Sequence, residues 1–143
     1  MNKDVNTRPN LYKIGYSSDD RCCICEGDSE TLEHLFFRCS YIGSVIGLIS
    51  DWCGLIHTDI NSMTGNNTTT GSRVQKQVYV LVLNAYYYQV WAQRNNATMN
   101  AILLMTARVF KLIKGDVKHH VKHKYKPVVD FRDEAWLKLL DLM

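Results

Sequence analysis

Four of the five cysteines in this 143-residue chain fall within the stretch "DDRCCICEGDSETLEHLFFRC", and His34 falls among them. Cys22 and Cys25 form C-x2-C, His34 and Cys39 form H-x4-C, and together they read C-x2-C-x8-H-x4-C. Zinc takes four thiolate or imidazole ligands at the corners of a tetrahedron, and two closely spaced pairs on separate local elements supply them. The expected site is therefore a zinc site built from Cys22, Cys25, His34 and Cys39. Four protein ligands leave no open position for substrate, so the metal is structural. Two alternatives stand beside this set. Cys23 could replace Cys22, and Cys53 with His57 forms a C-x3-H pair. A reduced, buried cysteine group without metal is a third reading.

These ligands need elements to hold them. The first pair belongs on a tight knuckle, and "EGDSE" is a polar turn after it. Ser29 or Thr31 is placed to cap a short helix through "LEHLFFRC". His34 then lies early on that helix and Cys39 at or past its end, with Leu35 and Phe36 or Phe37 sealing the metal against the core. Residues 1–21 are expected to wrap the start of the module, with Leu11 and Ile14 inward. Ile42, Val45, Ile46, Ile49 and Trp52 or Cys53 recur at three and four, which argues a helix despite Gly43, Gly47 and Gly54.

The rest of the chain reads as helix on helix. "GNNTTTG" at 65–71 is the clearest loop. Ser72 to Asn95 is expected as one long helix, with Val74, Val78, Leu81, Ala85, Tyr88 and Trp91 on its apolar stripe. That stripe places Tyr88 and Trp91 in the core, although "YYYQVW" also invites a base-stacking reading. A second helix is expected from about Asn96 or Thr98 to Lys124, burying Ile102, Met105 or Thr106, Val109, Ile113, Val117 and Val121. After Pro127, Asp130 with Asp133 and Glu134 marks a last helix through Leu142. The expected fold is mainly α, a small CCHC zinc-stabilised module packed on long amphipathic helices. The expected divisions are a module at 1–60, a loop at 61–71 and a helical part at 72–143, sharing one core.

Charge separates along the chain. Residues 1–60 carry nine Asp/Glu against five Lys/Arg, and residues 61–143 carry five against twelve. The basic excess concentrates at Arg108, Lys111, Lys114, Lys118, Lys122, Lys124 and Lys126, opposed locally by Asp116 alone. Lys111, Lys114, Lys118 and Lys122 share a helix face that could follow a phosphate backbone of RNA or DNA. A solvated amphipathic face is the plain alternative. His119 and His123, four apart, are a further candidate metal pair. No Gly-rich phosphate loop, H-E-x-x-H or G-x-S-x-G motif occurs, so the chain is not expected to be an enzyme. The polar N-terminus and short apolar runs predict an intracellular protein without a membrane partner. The odd, crowded cysteines fit a reducing compartment.

The span "NTRPNLYKIGYSSDDRCCICEGDSETLEHLFFRC" resembles the zinc-binding region of reverse transcriptases from plant LINE-like, non-LTR retroelements. The matching positions are Thr7, Arg8, Leu11, Cys22, Cys25, Glu30, Thr31, His34 to Phe37 and Cys39. Further on, "VWAQRNN" stands where the family has its "IW-x-x-RN" sequence. The resemblance implies Cys22, Cys25, His34 and Cys39 as zinc ligands and a role in engaging nucleic acid. It departs in lacking the Trp that often follows the last Cys, and in lacking the polymerase core with its paired aspartates. A non-catalytic module derived from a retroelement follows. Its partner would be RNA or DNA. The alternative is a helical interaction factor that binds a protein, or itself, through the apolar Tyr-rich helix.

Overall fold

The computed structural model describes residues 20–54, 71–124 and 129–143. The start of the family-like span, Leu11 and Ile14, most of the loop at 65–71, His57, Lys126 and Pro127 lie outside the described residues. The described chain is a metal-ligand knuckle and a short π-helical turn, His34–Arg38, followed by four α-helices. These are α1 (Ser40–Cys53), α2 (Arg73–Asn100), α3 (Thr106–Lys124) and α4 (Phe131–Leu139). Among the described residues, extended pairing is limited to an isolated antiparallel bridge between Arg21 and Ser29. No helix among them is long and apolar enough to cross a membrane.

Helix α1 follows its expected stripe. Ile42, Val45, Ile46, Ile49 and Cys53 are buried, while Gly43 and Gly47 face open space. Gly54 ends the helix at φ 79°, a left-handed position that favours glycine.

Helix α2 begins at a capping box. The Gln75 N–H donates to Ser72 Oγ and the Ser72 N–H donates to Gln75 Oε1, each at 3.1 Å. Its buried face differs from the expected one. Val78, Val82, Ala85, Tyr86 and Val90 point inward, whereas Tyr88 is 69% exposed. The reason is tertiary. The Tyr86 hydroxyl donates to the Phe36 carbonyl, and Tyr87 meets the rings of Phe36 and Phe37 edge-on. With Tyr86 and Tyr87 turned toward the π-turn, Tyr88 at 100° further round faces out.

The next boundary is also corrected. Residues 96–100 complete α2 rather than starting a second helix. Ala101 adopts a left-handed conformation at φ 54°, the Ile102 N–H closes on the Asn96 carbonyl, and α3 begins at Thr106. Ile102 and Met105 are therefore exposed instead of buried. The connection is pinned at Leu104: its N–H donates to Gln93 Oε1 and its carbonyl accepts from the Tyr41 hydroxyl. Val109, Ile113, Val117 and Val121 form the buried ridge of α3 at every fourth residue. This ridge packs α3 against α1 and α2.

Helix α4 is capped by Asp130, whose side chain accepts from the Arg132 and Asp133 N–H groups at 3.0 and 2.9 Å. It stops at Leu139 rather than reaching Leu142, because Asp141 takes a left-handed φ of 58°. Two contacts dock this end. Trp52 Nε1 donates to the Leu140 carbonyl at 3.0 Å, and Ser72 Oγ donates to the buried Asp133 carboxylate at 2.6 Å. One hydroxyl thus caps α2 and ties it to α4. Ser72→Ala should cost about 1–3 kcal/mol, from a lost cap and a buried carboxylate short of one donor. The midpoint of urea unfolding measures it. An unchanged midpoint would mean that neither bond holds in solution.

Candidate metal centre

The knuckle is fixed by backbone bonds before any metal is considered. The Cys22 N–H donates to the Asp28 carbonyl at 2.7 Å, the Glu26 N–H to the Cys22 carbonyl at 2.9 Å, and the Glu30 N–H to the Asp20 carbonyl at 2.9 Å. Glu26 closes the turn at φ 57°. Cys22 and Cys25 are thereby presented from one tight loop. Thr31, not Ser29, caps the following turn: its Oγ1 accepts from the His34 N–H at 3.0 Å.

His34 and Cys39 are five residues apart, and an α-helix would turn them to different sides. The π-turn corrects this. The Cys39 N–H closes on the His34 carbonyl at 2.8 Å, an i to i+5 bond that lays the fifth residue over the first. On the outer side, Glu33 and Arg38, also five apart, form an ion pair at 2.7 Å.

Together these elements bring one ligand atom from each of Cys22, Cys25, His34 and Cys39 within 4.8 Å of one another. Cys25 Sγ and His34 Nε2 are 3.2 Å apart. Zinc bonds of about 2.3 Å to sulfur and 2.0 Å to nitrogen separate neighbouring tetrahedral ligands by roughly 3.5–3.8 Å. The donor set fits that geometry with small adjustments. Cys22, Cys39 and His34 are buried and Cys25 is half-buried. Leu35, Phe36 and Phe37 are all buried behind them. With Nε2 toward the sulfurs, His34 Nδ1 faces the Asp28 carboxylate at 3.7 Å, the kind of partner that orients a metal-binding imidazole. This Cys3His cluster is capable of coordinating a metal ion, and its composition suits zinc.

The sulfurs are electrostatically coupled. The Cys22 thiol donates to Cys39, which together with burial holds Cys22 well above the usual thiol range. The same bond lowers Cys39, despite its burial. Without metal, Cys22 therefore keeps its proton and Cys39 is the readier thiolate.

Cys23 does not replace Cys22. Its sulfur turns to α2, accepting from Thr98 Oγ1 at 3.2 Å and lying 3.5 Å from Glu30 Oε2. Beside it is a feature that sequence reasoning missed. Glu30 is fully buried and Arg94 nearly so, and Arg94 Nε and an Nη atom both donate to Glu30 Oε1 at 3.1 and 3.0 Å. Arg94 also sits 5.0 Å from the centre of the Trp91 ring. The signal was present in "SETLEH" and "AQRNN", but nothing local pairs residues 64 apart. Cys53 is a core residue whose thiol donates to the Ile49 carbonyl at 3.3 Å, away from the cluster. The His119 and His123 rings lie 4.4 Å apart on the surface, with no third donor assembled beside them among the described residues.

The basic residues divide. Arg108, Lys111, Lys122 and Lys124 are exposed. Lys114 and Lys118 are drawn to Asp141, at 3.5 and 3.0 Å, and Lys114 also lies 6.0 Å from the Trp52 ring centre. The expected face therefore exists as a ridge, but its middle is occupied by an acid from the chain's end.

Two outcomes follow for the cluster. Protein purified without added metal should carry one zinc per chain, Cys39→Ser should lose it, and Cys53→Ser should retain it. Elemental analysis decides, and loss with Cys53→Ser alone would refute the ligand set. Because binding must displace the proton held by Cys22, affinity should rise with pH, by about tenfold per pH unit for each proton displaced. Competition with a chromophoric chelator at several pH values measures this, and a flat profile would contradict it.

No curated protein and no solved structure matches the chain. A family model does: residues 1–45 match the family described as zinc-binding in reverse transcriptase, a zinc-binding accessory region rather than the polymerase core.

Proposed function

We propose that this chain is a zinc-stabilised accessory module, derived from a plant LINE-like retroelement reverse transcriptase, that engages nucleic acid without catalysing a reaction. The observation that carries the reading is the convergence of Cys22, Cys25, His34 and Cys39 inside a region matched by the reverse-transcriptase zinc-binding family. The ligand set is closed and lacks a position for substrate, so the metal's role is to hold the knuckle and the π-turn together. The module at 1–60 and the helical part at 72–143 then share one core. None of the five cysteines is joined in a disulfide, which favours a reducing, intracellular setting, nuclear or cytoplasmic.

Nucleic-acid contact is assigned to the ridge of α3. Arg108, Lys111, Lys122 and Lys124 are exposed, and Lys126 would extend the run. Lys114 and Lys118 join only when Asp141 lets go. Lys118 holds the Asp141 carboxyl below its usual range, with Lys114 adding to this, so the clamp stays charged at neutral pH. Its contribution is present above the ordinary carboxylate range and is lost as pH falls through the lowered value.

A second reading has its own observation. Met99 at the end of α2 and Ile102, Leu103 and Met105 on the connection anchored through Leu104 are exposed. That apolar surface favours a protein partner or self-association, seated there rather than on the Tyr-rich stretch. A strict monomer that captures no protein would count against it.

The slope of affinity against salt tests the first reading. Changing Lys111, Lys114, Lys118 and Lys122 to Gln should weaken binding about equally across sequences and flatten the slope. Asp141→Asn should act oppositely, strengthening binding and steepening the slope by up to about 0.9 per added phosphate contact. Absence of binding to DNA and RNA at low salt would remove the reading.

A further inference from the structure

Between α2 and α3 lies a groove of about 340 Å³, lined by Leu81, Asn84, Ala85 and Tyr88 from α2 and by Asp116 and His120 from α3. That is the small end of ligand-site volumes, suited to one planar group rather than an extended chain. Leu81 and Ala85 give it an apolar side. Tyr88, 69% exposed, brings a phenol ring that the core does not use. The polar groups are oriented. Gln89 Nε2 reaches across from α2 to Asp116 Oδ2 at 3.5 Å. His120 Nδ1 lies 2.8 Å from the Asp116 carbonyl oxygen, which only accepts, so Nδ1 carries a proton and donates to it.

We propose that this groove takes one unpaired, amino-bearing nucleobase of a single strand, stacked on Tyr88, with its amino group donating to Asp116. An aromatic face beside an apolar wall stacks any base. A carboxylate offers acceptors only, and therefore favours cytosine, adenine or guanine, whose amino groups each offer two donor hydrogens, over thymine, which offers one N–H between two carbonyl oxygens. The Asn84 amide supplies both a donor and an acceptor for the rest of the base edge. The setting favours nucleic acid over a cationic peptide side chain. Asp116 is the one acid on α3, against Arg108, Lys111, Lys114, Lys118, Lys122 and Lys124, and Lys124 follows His120 by one helical turn. That field attracts a phosphodiester strand and repels a basic peptide.

The inference rests on the nucleic-acid reading above and adds to it a place and a base preference. Fluorescence anisotropy of the zinc-loaded full chain with short oligo(dC), oligo(dA) and oligo(dT), at one low salt concentration, tests both. Wild type should bind oligo(dC) and oligo(dA) roughly tenfold more tightly than oligo(dT). Tyr88→Ala should weaken all three by roughly tenfold, whereas Tyr88→Phe should keep binding. Asp116→Asn should erase the base preference while leaving oligo(dT) affinity nearly unchanged or higher. Zinc content and helical circular dichroism confirm that each variant is folded. If wild type binds every oligonucleotide but Tyr88→Ala and Asp116→Asn change neither affinity nor preference, the groove assignment falls and the broader reading stands. If no oligonucleotide binds, both fall. An arginine-rich peptide bound in a Tyr88-dependent way, in place of the oligonucleotides, would also overturn the assignment.

Discussion

The buried ion pair between Glu30 and Arg94 joins the metal module to the helices, and much of the remaining structure depends on it. Burying both charges is costly, and their attraction offsets that cost only where geometry is good and further polar contacts are supplied. Here two Arg94 nitrogens meet one Glu30 oxygen, while Cys23 lies against the other oxygen and Thr98 backs Cys23. Removing either charge alone would leave its partner buried and uncompensated, typically a loss of about 3–5 kcal/mol. The pair therefore specifies register more than it adds net stability. It allows one seating of the knuckle on α2, because a slide along the helix would strand both ions.

That seating closes a loop of contacts around the ligands. Glu30 precedes the cap at Thr31, which leads into His34 and the π-turn. Cys39 leads directly into α1, where Tyr41 donates to the Leu104 carbonyl. Burial and the neighbouring Cys39 push the Tyr41 hydroxyl up to about 12, so it remains a donor throughout the neutral range. Leu104 in turn is bonded to Gln93, next to Arg94. The ligand that ends the π-turn is thus held from both sides of the interface. Metal binding energy released in such a frame is shared with the helices as folding energy.

The sequence was legible where chemistry is local. The ligand spacing, the Asp130 cap and the α1 stripe all depend on neighbours within a few residues, and the structure has them as expected. Tyr88 was misplaced because Tyr86, Tyr87 and Tyr88 are equally apolar, and only the distant Phe36 carbonyl selects Tyr86 for the core. The break at Ala101 has no Gly or Pro to announce it and depends on Gln93 and Tyr41 holding Leu104. The basic ridge was visible, but its neutralisation was not, since Asp141 lies 23 residues beyond Lys118. The Cys22 and Cys25 knuckle was readable; the separate duty of Cys23 required the helix against which it packs.

The π-turn also determines what kind of change this module can absorb. Its i to i+5 closure counts residues between His34 and Cys39, while Leu35, Phe36 and Phe37 need only be apolar and of suitable bulk. Side-chain identity there can drift, and deleting one residue would restore ordinary α-helical winding with the two ligands four apart and still on one face. An inserted residue would push Cys39 past the other sulfurs. The module is therefore tolerant to point substitution but intolerant to insertion across this span, the opposite of what a surface loop allows.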